Sequence, residues 1–251
     1  MLLNFLRKLH GIYSALVFVV VVLLLFCPLL IIAPGLPLRR AIGRFTVRAW
    51  LLFSFIPFRV RGLENLPNER TLVICNHASY LDGLLLTAAL PARFTFLVQH
   101  GAGEWPYVGR VIRRMGVSFV NRESPREAAK ATKALIDRVK AGESFAIFPE
   151  GTFRAAPLML PFQPGAFVIA GRSGAKIVPA VIRGSRTLLG EGARLCSWAP
   201  IEIECFPAMQ ASDDSRAAAD ALSASARAVM LANSADGDAG DWTPPPFGTR
   251  S

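Results

Sequence analysis

The chain has 251 residues, enough for one α/β domain of ordinary size and an additional element. Apolar side chains make up 52% of it, charged ones only 18%, and the net charge is +10; this balance suits an anionic membrane surface or anionic substrates, and no recognised motif supports nucleic acid. Cys27, Cys75, Cys196 and Cys205 form no CxxC pair and no metal spacing, so buried free thiols in a reducing compartment are expected rather than disulfides.

Residues 12–33 carry no charge. At ~1.5 Å per residue they reach ~33 Å as a helix, enough for the hydrocarbon core of a bilayer. A soluble core helix is seldom so long and uniform, and no small-residue pattern marks a signal-peptide cleavage site. Arg7 and Lys8 precede the stretch, and Arg39, Arg40, Arg44 and Arg48 follow it. A single crossing would therefore leave the bulk of the chain in the cytoplasm. Pro28, Pro34 and Pro37 allow another path, with two half-helices that enter one leaflet and return. Residues 39–58 mix arginines with Phe45, Trp50, Phe53 and Phe55, as an interfacial helix would. Residues 1–57 are thus expected to form a membrane-anchoring helical segment.

Residues 58–210 alternate between strand and helix signals. Strands are predicted at 58–61, 71–75, 94–98, 117–120, 145–148, 175–182 and 201–206, and helices at 80–90, 105–115, 124–141 and 165–172. Ser79 is expected to cap the first of these helices; Ser124, Pro125 and Glu127 mark the start of the third, and Gly142 its end. Such alternation predicts an α/β domain with a largely parallel or mixed sheet flanked by helices. In 211–251, an alanine-rich helix at 212–233 precedes a Gly- and Pro-rich tail expected to lack structure from Ser234. Six acids against three arginines make this last part acidic, so the positive charge resides in the first 210 residues.

Two polar clusters stand directly after apolar strands. In the first, Asn76 and His77 follow the run 71–75, and Asp82 lies five residues beyond the histidine. A histidine at a strand end and an acid in the next helix can turn back on each other, as a general base and its orienting carboxylate must. A surface His–Asp pair is the alternative on those residues alone. The second cluster is Phe148-Pro149-Glu150-Gly151-Thr152-Phe153-Arg154. Arg154, and after it Arg122, are candidate phosphate donors, because guanidinium forks match phosphate oxygens; two surface ion pairs are the alternative. Cys75, within a strand, is assigned to packing.

Four segments together resemble the phospholipid/glycerol acyltransferase superfamily, whose members include 1-acyl-sn-glycerol-3-phosphate acyltransferases. They are the NHxxxxD signature at Asn76–Asp82, Gly116 through Arg122, the FPEG-T-R cluster at Phe148–Arg154, and the V-P strand at Ile177–Val181. The resemblance covers about residues 60–205. It implies a glycerolipid acyltransferase fold and transfer of a fatty acyl group from acyl-CoA or acyl-carrier protein to the hydroxyl of a lysolipid, lysophosphatidic acid first. His77 would be the base and Asp82 its partner, with Arg122, Glu150, Gly151, Thr152 and Arg154 at the acceptor. Glu150 could instead partner one of the arginines. No metal or dissociable cofactor is implied, and the site would face the cytoplasm from the inner membrane.

Two departures stand out. Many family members carry K-x-E where Gln99-His100-Gly101 align here, and Phe153 separates Thr152 from Arg154. In the family the first of these lies near the acceptor side, and the second shifts the arginine, so another lysolipid is the alternative acceptor. A thioester hydrolase and a non-catalytic lipid-binding protein are the readings from other classes.

Overall fold

The computed structural model describes residues 2–99, 106–120 and 125–240. The chain begins with α1 (Leu2–Val17), runs on through π-wound residues Phe18–Phe26, and reaches α2 (Cys27–Ile32) without a break. The wide winding ends where Cys27 N–H bonds Val22 O, just before Pro28, which has no N–H of its own and whose ring would crowd an α-type carbonyl. Pro28 therefore does not split the segment into half-helices. The reversal comes at Gly35, with φ +68, and α3 (Leu36–Phe53) folds back along the first helix. Tyr13 OH donates to Phe53 O (2.8 Å) and Trp50 Nε1 to Ser14 O (3.2 Å), joining the two arms of the hairpin. Phe5–Ile32 is long and apolar enough to cross a membrane.

The remaining elements follow in order: β1 (Phe58–Arg61), β2 (Thr71–Cys75), α4 (Asp82–Ala89), β3 (Phe94–Gln99), α5 (Val108–Arg114), β4 (Ser118–Val120), α6 (Pro125–Lys140), β5 (Ser144–Ile147), β6 (Leu158–Met159), α7 (Gly165–Ser173), β7 (Lys176–Arg183), α8 (Ser185–Leu189), β8 (Ile201–Cys205), α9 (Arg216–Asn233) and β9 (Gly237–Asp238). A seven-stranded sheet has the order β1-β8-β7-β2-β5-β3-β4. The run from β7 to β4 is parallel; β8 lies antiparallel to β7, and β1 parallel to β8. The sheet is mixed, as the strand and helix alternation predicts.

β2 is central and buried along its whole length, which is why it reads as an unbroken apolar run. Its alternate side chains serve two cores. Val73 and Cys75 pack with Trp50, Leu85 and Leu86 on the α3 and α4 side; Leu72 and Ile74 pack with Phe145, Phe167 and Leu222 on the α6, α7 and α9 side. The result is a helix–sheet–helix sandwich with the hairpin built into one layer.

Three expectations change. Residues 39–58 do not form a purely interfacial helix. Trp50 is in the core, and the arginines turn inward to helix ends: Arg44 and Arg48 donate to Ala88 O, Arg44 also to Ala89 O, and Arg40 to Met115 O. Carbonyls at the C-terminus of a helix lack intrahelical partners and carry its negative pole, so arginine is well suited there. Phe45, Phe53 and Phe55 do remain exposed. The last long helix begins at Arg216 rather than residue 212, because Ser215 caps it by accepting from Ala218 N (3.1 Å). The tail is ordered from Ser234 through Gly240: β9 pairs with β6, and Asp236 and Asp238 bind arginines.

α8 has no counterpart among the predicted elements. It depends on Gly184, whose φ is +86 and where an added Cβ would lie 2.1 Å from Pro200 O. Gly184→Ala is expected to cost about 2–4 kcal/mol, from backbone strain plus a clash with a carbonyl that cannot move freely. Chemical denaturation in detergent, with Gly192→Ala as an open-space control at φ +77, checks this.

Candidate active site

β2, β5 and β7 end side by side at one edge of the sheet, where parallel strands leave a crevice for ligands. The residues that follow them make the site. Asn76 is buried and ties β2 to β7, donating from Nδ2 to Ile182 O (3.1 Å) and accepting at Oδ1 from Ile182 N (2.7 Å).

Asp82 has no exposed surface. Its Oδ2 accepts from Ala78 N (2.7 Å), Ser79 N (2.8 Å) and His77 Nδ1 (2.9 Å). A carboxylate bound to two backbone donors can only accept from the ring, so Nδ1 carries the proton. Nε2 then bears the lone pair and has no hydrogen-bond partner among the described residues. The His77 side chain is 21% exposed. Ser79 does not cap a helix that starts at Tyr80. It donates to Leu189 O (2.7 Å) and accepts from Leu81 N (3.1 Å), and the helix starts at Asp82 itself.

Aromatic rings surround the imidazole. Phe148 stacks on it at 4.4 Å and 16°, and Phe153 meets it at 4.6 Å and 56°, with Tyr80 edge-on to Phe153 at 4.9 Å. Phe153, the residue that interrupts the T-R pattern, thus lies against the histidine. These rings were absent from the sequence-derived set of site residues; the interruption itself was the available signal.

Glu150 stands just after β5, within the second polar cluster. It is 3% exposed, and both oxygens are occupied: Oε1 accepts from His77 N and Oε2 from Leu160 N, each at 2.7 Å. It therefore braces the histidine's backbone against the chain after β6. Among the described residues it forms no ion pair with an arginine. Gly151 turns the chain away with φ +75, a conformation that favours glycine. Thr152 and Arg154 are half-buried on the same loop. Arg154 lies 3.5 Å from Glu191, in a partly solvated pair of small net value. Arg122, His100 and Gly101 lie outside the described residues. Cys75 is fully buried, and burial pushes its thiol well up, in keeping with packing.

A family model described as Acyltransferase matches residues 57–183, about half of the chain. The chain belongs to the Acyltransferase family. It is 32% identical over 160 residues to a chloroplastic 1-acyl-sn-glycerol-3-phosphate acyltransferase of Brassica napus, covering 62% of this chain and 46% of that protein. It is 29% identical over 197 residues to a chloroplastic protein of the same description from Arabidopsis thaliana, covering 74% and 54%. The chain spans about half the length of these relatives. The crystal structure of the 1-acyl-sn-glycerophosphate acyltransferase PlsC of Thermotoga maritima matches with a TM-score of 0.72, over 93% of this chain and 96% of that one. At 20% identity this likeness shows the fold, and it is the fold that the four sequence segments imply.

Burial pushes the Glu150 carboxyl up to about 7, against the two backbone N–H groups that hold it down. Because this exceeds the unfolded value of about 4.3, its contribution to stability is complete below about pH 4 and is lost as pH rises through about 7. The stability advantage of the wild type over Glu150→Gln is accordingly expected to be larger near pH ~5 than near pH ~8, by at most ~3 kcal/mol. Paired unfolding curves at the two pH values check this, and an advantage that grows with pH would contradict it.

Proposed function

We propose that this chain is an O-acyltransferase that moves a fatty acyl group from an acyl thioester to the free hydroxyl of 1-acyl-sn-glycerol 3-phosphate, giving phosphatidic acid. The observation that carries the reading is the His77–Asp82 pair at the sheet edge, with Nδ1 engaged and Nε2 open. Nε2 takes the hydroxyl proton as the oxygen attacks the thioester carbonyl carbon. The oxyanion collapses, the carbon–sulfur bond breaks, and the departing thiolate takes the proton back from Nε2. Asp82 keeps the ring in one tautomer and stabilises the imidazolium between these steps. The hydroxyl attacks directly, so no acyl-enzyme forms and no dissociable cofactor is needed; acyl-CoA or acyl-carrier protein is the co-substrate.

Arg154, and after it Arg122, bind the acceptor phosphate, with Thr152 and Gly151 shaping the loop. The apolar N-terminal helix enters the cytoplasmic membrane with the site on the cytoplasmic side, so the lipid acceptor stays in the bilayer while the donor arrives from water. A second acceptor class, another lysophospholipid or a lyso-aminolipid, is favoured by one observation: Phe153 occupies space against His77 where an uninterrupted T-R would not place a ring.

Purified protein in liposomes, supplied with a long-chain acyl-CoA and a panel of lysolipids, tests the reading. Thiol release and phosphatidic acid should appear together, and His77→Ala should lower turnover by about 10²–10⁴. Thiol release without acylated lipid would mean hydrolysis, and wild-type turnover unchanged by the substitution would sink the proposed role of His77.

A further inference from the structure

Residues 234–240 lie beyond the stretch that matches the family model, yet they grip the loop that carries Arg154. Arg186, at the start of α8, is the hub. Its Nε and Nη2 bind Asp236 Oδ1 and Oδ2 at 3.3 and 3.1 Å, and its Nη1 donates to the carbonyl of Arg154. Asp236 and Arg186 are only 12% and 19% exposed, so water screens this pair far less than a surface ion pair. Gly237 N bonds Pro157 O (2.8 Å) and Ala239 N bonds Met159 O (3.2 Å), which closes the β6–β9 ladder. Arg227 of α9 fastens the ladder from outside, binding both oxygens of Asp238 (2.7 and 2.8 Å) and Met159 O (2.9 Å). One residue on, Leu160 N bonds Glu150, which in turn holds His77 N.

The loop 151–157 is thus tied by Glu150 where it begins, by Arg186 at the carbonyl of Arg154, by Glu191 at Ala155 N (2.5 Å) and the Arg154 guanidinium (3.5 Å), and by Gly237 where it ends. We propose that this C-terminal strap, through Asp236 and Arg186, is a positioning element that sets the placement of Arg154 and with it the affinity for the acceptor's phosphate. The assignment of Arg154 to the acceptor rests on the lysolipid reading above; the mechanical hold of the strap on the loop does not. The strap touches neither Nε2 nor Asp82, so it should govern acceptor binding rather than the proton transfer.

The test uses full-length protein in liposomes, with Asp236→Asn, Asp236→Glu as the conservative variant, and a chain ending at Ser234. Asp220→Asn serves as control, since among the described residues that carboxylate pairs with Arg216 on the exposed face of α9. Asp236→Asn and the shortened chain should raise KM for 1-acyl-sn-glycerol 3-phosphate about tenfold, with kcat and the donor KM changed less than about twofold. Asp236→Glu should recover most of the loss. Amide hydrogen exchange over 151–157 should quicken in Asp236→Asn while β2 stays protected. A fall in kcat at constant KM, as from a smaller folded fraction, would overturn the proposal, and so would unchanged exchange in the loop. If the wild type acylates no lysolipid, the functional reading fails, and the exchange measurement alone still decides whether the strap holds the loop.

Discussion

A carboxylate with no exposed surface must be held by donors, and Asp82 finds all three within its own turn. Two are the backbone N–H groups of Ala78 and Ser79, and the third is the ring of His77, so Oδ2 gathers the whole segment between strand and helix around one atom. Each such bond to a charged group is worth about 1.5–3 kcal/mol, and losing one partner leaves the charge buried and under-satisfied. The five-residue spacing from His77 to Asp82 follows from this closure. The residue that orients the imidazole is also the first of α4, so the geometry of the base is tied to the start of that helix.

Around that turn, side chains link strand ends that backbone ladders no longer join. Asn76 reaches Ile182 on β7 with both ends of its amide, and Glu150 reaches from the end of β5 to the backbone of His77. Both are buried, and both face backbone partners rather than the crevice. The polar residues of the two motifs are therefore divided by burial: His77, Thr152 and Arg154 are partly exposed, whereas Asn76, Asp82 and Glu150 are buried. Phe148 and Phe153 fill the space against the ring and limit how the imidazole can turn.

How much of this was legible in the sequence depended on range. The His77–Asp82 relation is local, the strand 71–75 is a continuous buried run, and the alternation of elements fixed the class of the sheet; each could be read from neighbouring residues. Long-range partners could not. Nothing near Arg44 or Arg48 in sequence announces that they end α4 forty residues on, and their mixture with aromatics imitated an interfacial helix. Glu150 looked like a ligand group because its two N–H partners come from His77 and Leu160, seventy-three and ten residues away. The tail composition suggested disorder, but Asp236 and Asp238 meet Arg186 and Arg227 at distances only the fold creates.

The arginines of α3 also bear on how the molecule meets a surface. They hold the last carbonyls of α4, and Asp82 is the first residue of that same helix. Eight residues of α-helix measure ~12 Å, and this one helix joins the arginines of the hairpin to the imidazole's partner. The separation of the open nitrogen from the hairpin is therefore set by the length of one helix rather than by a flexible tether.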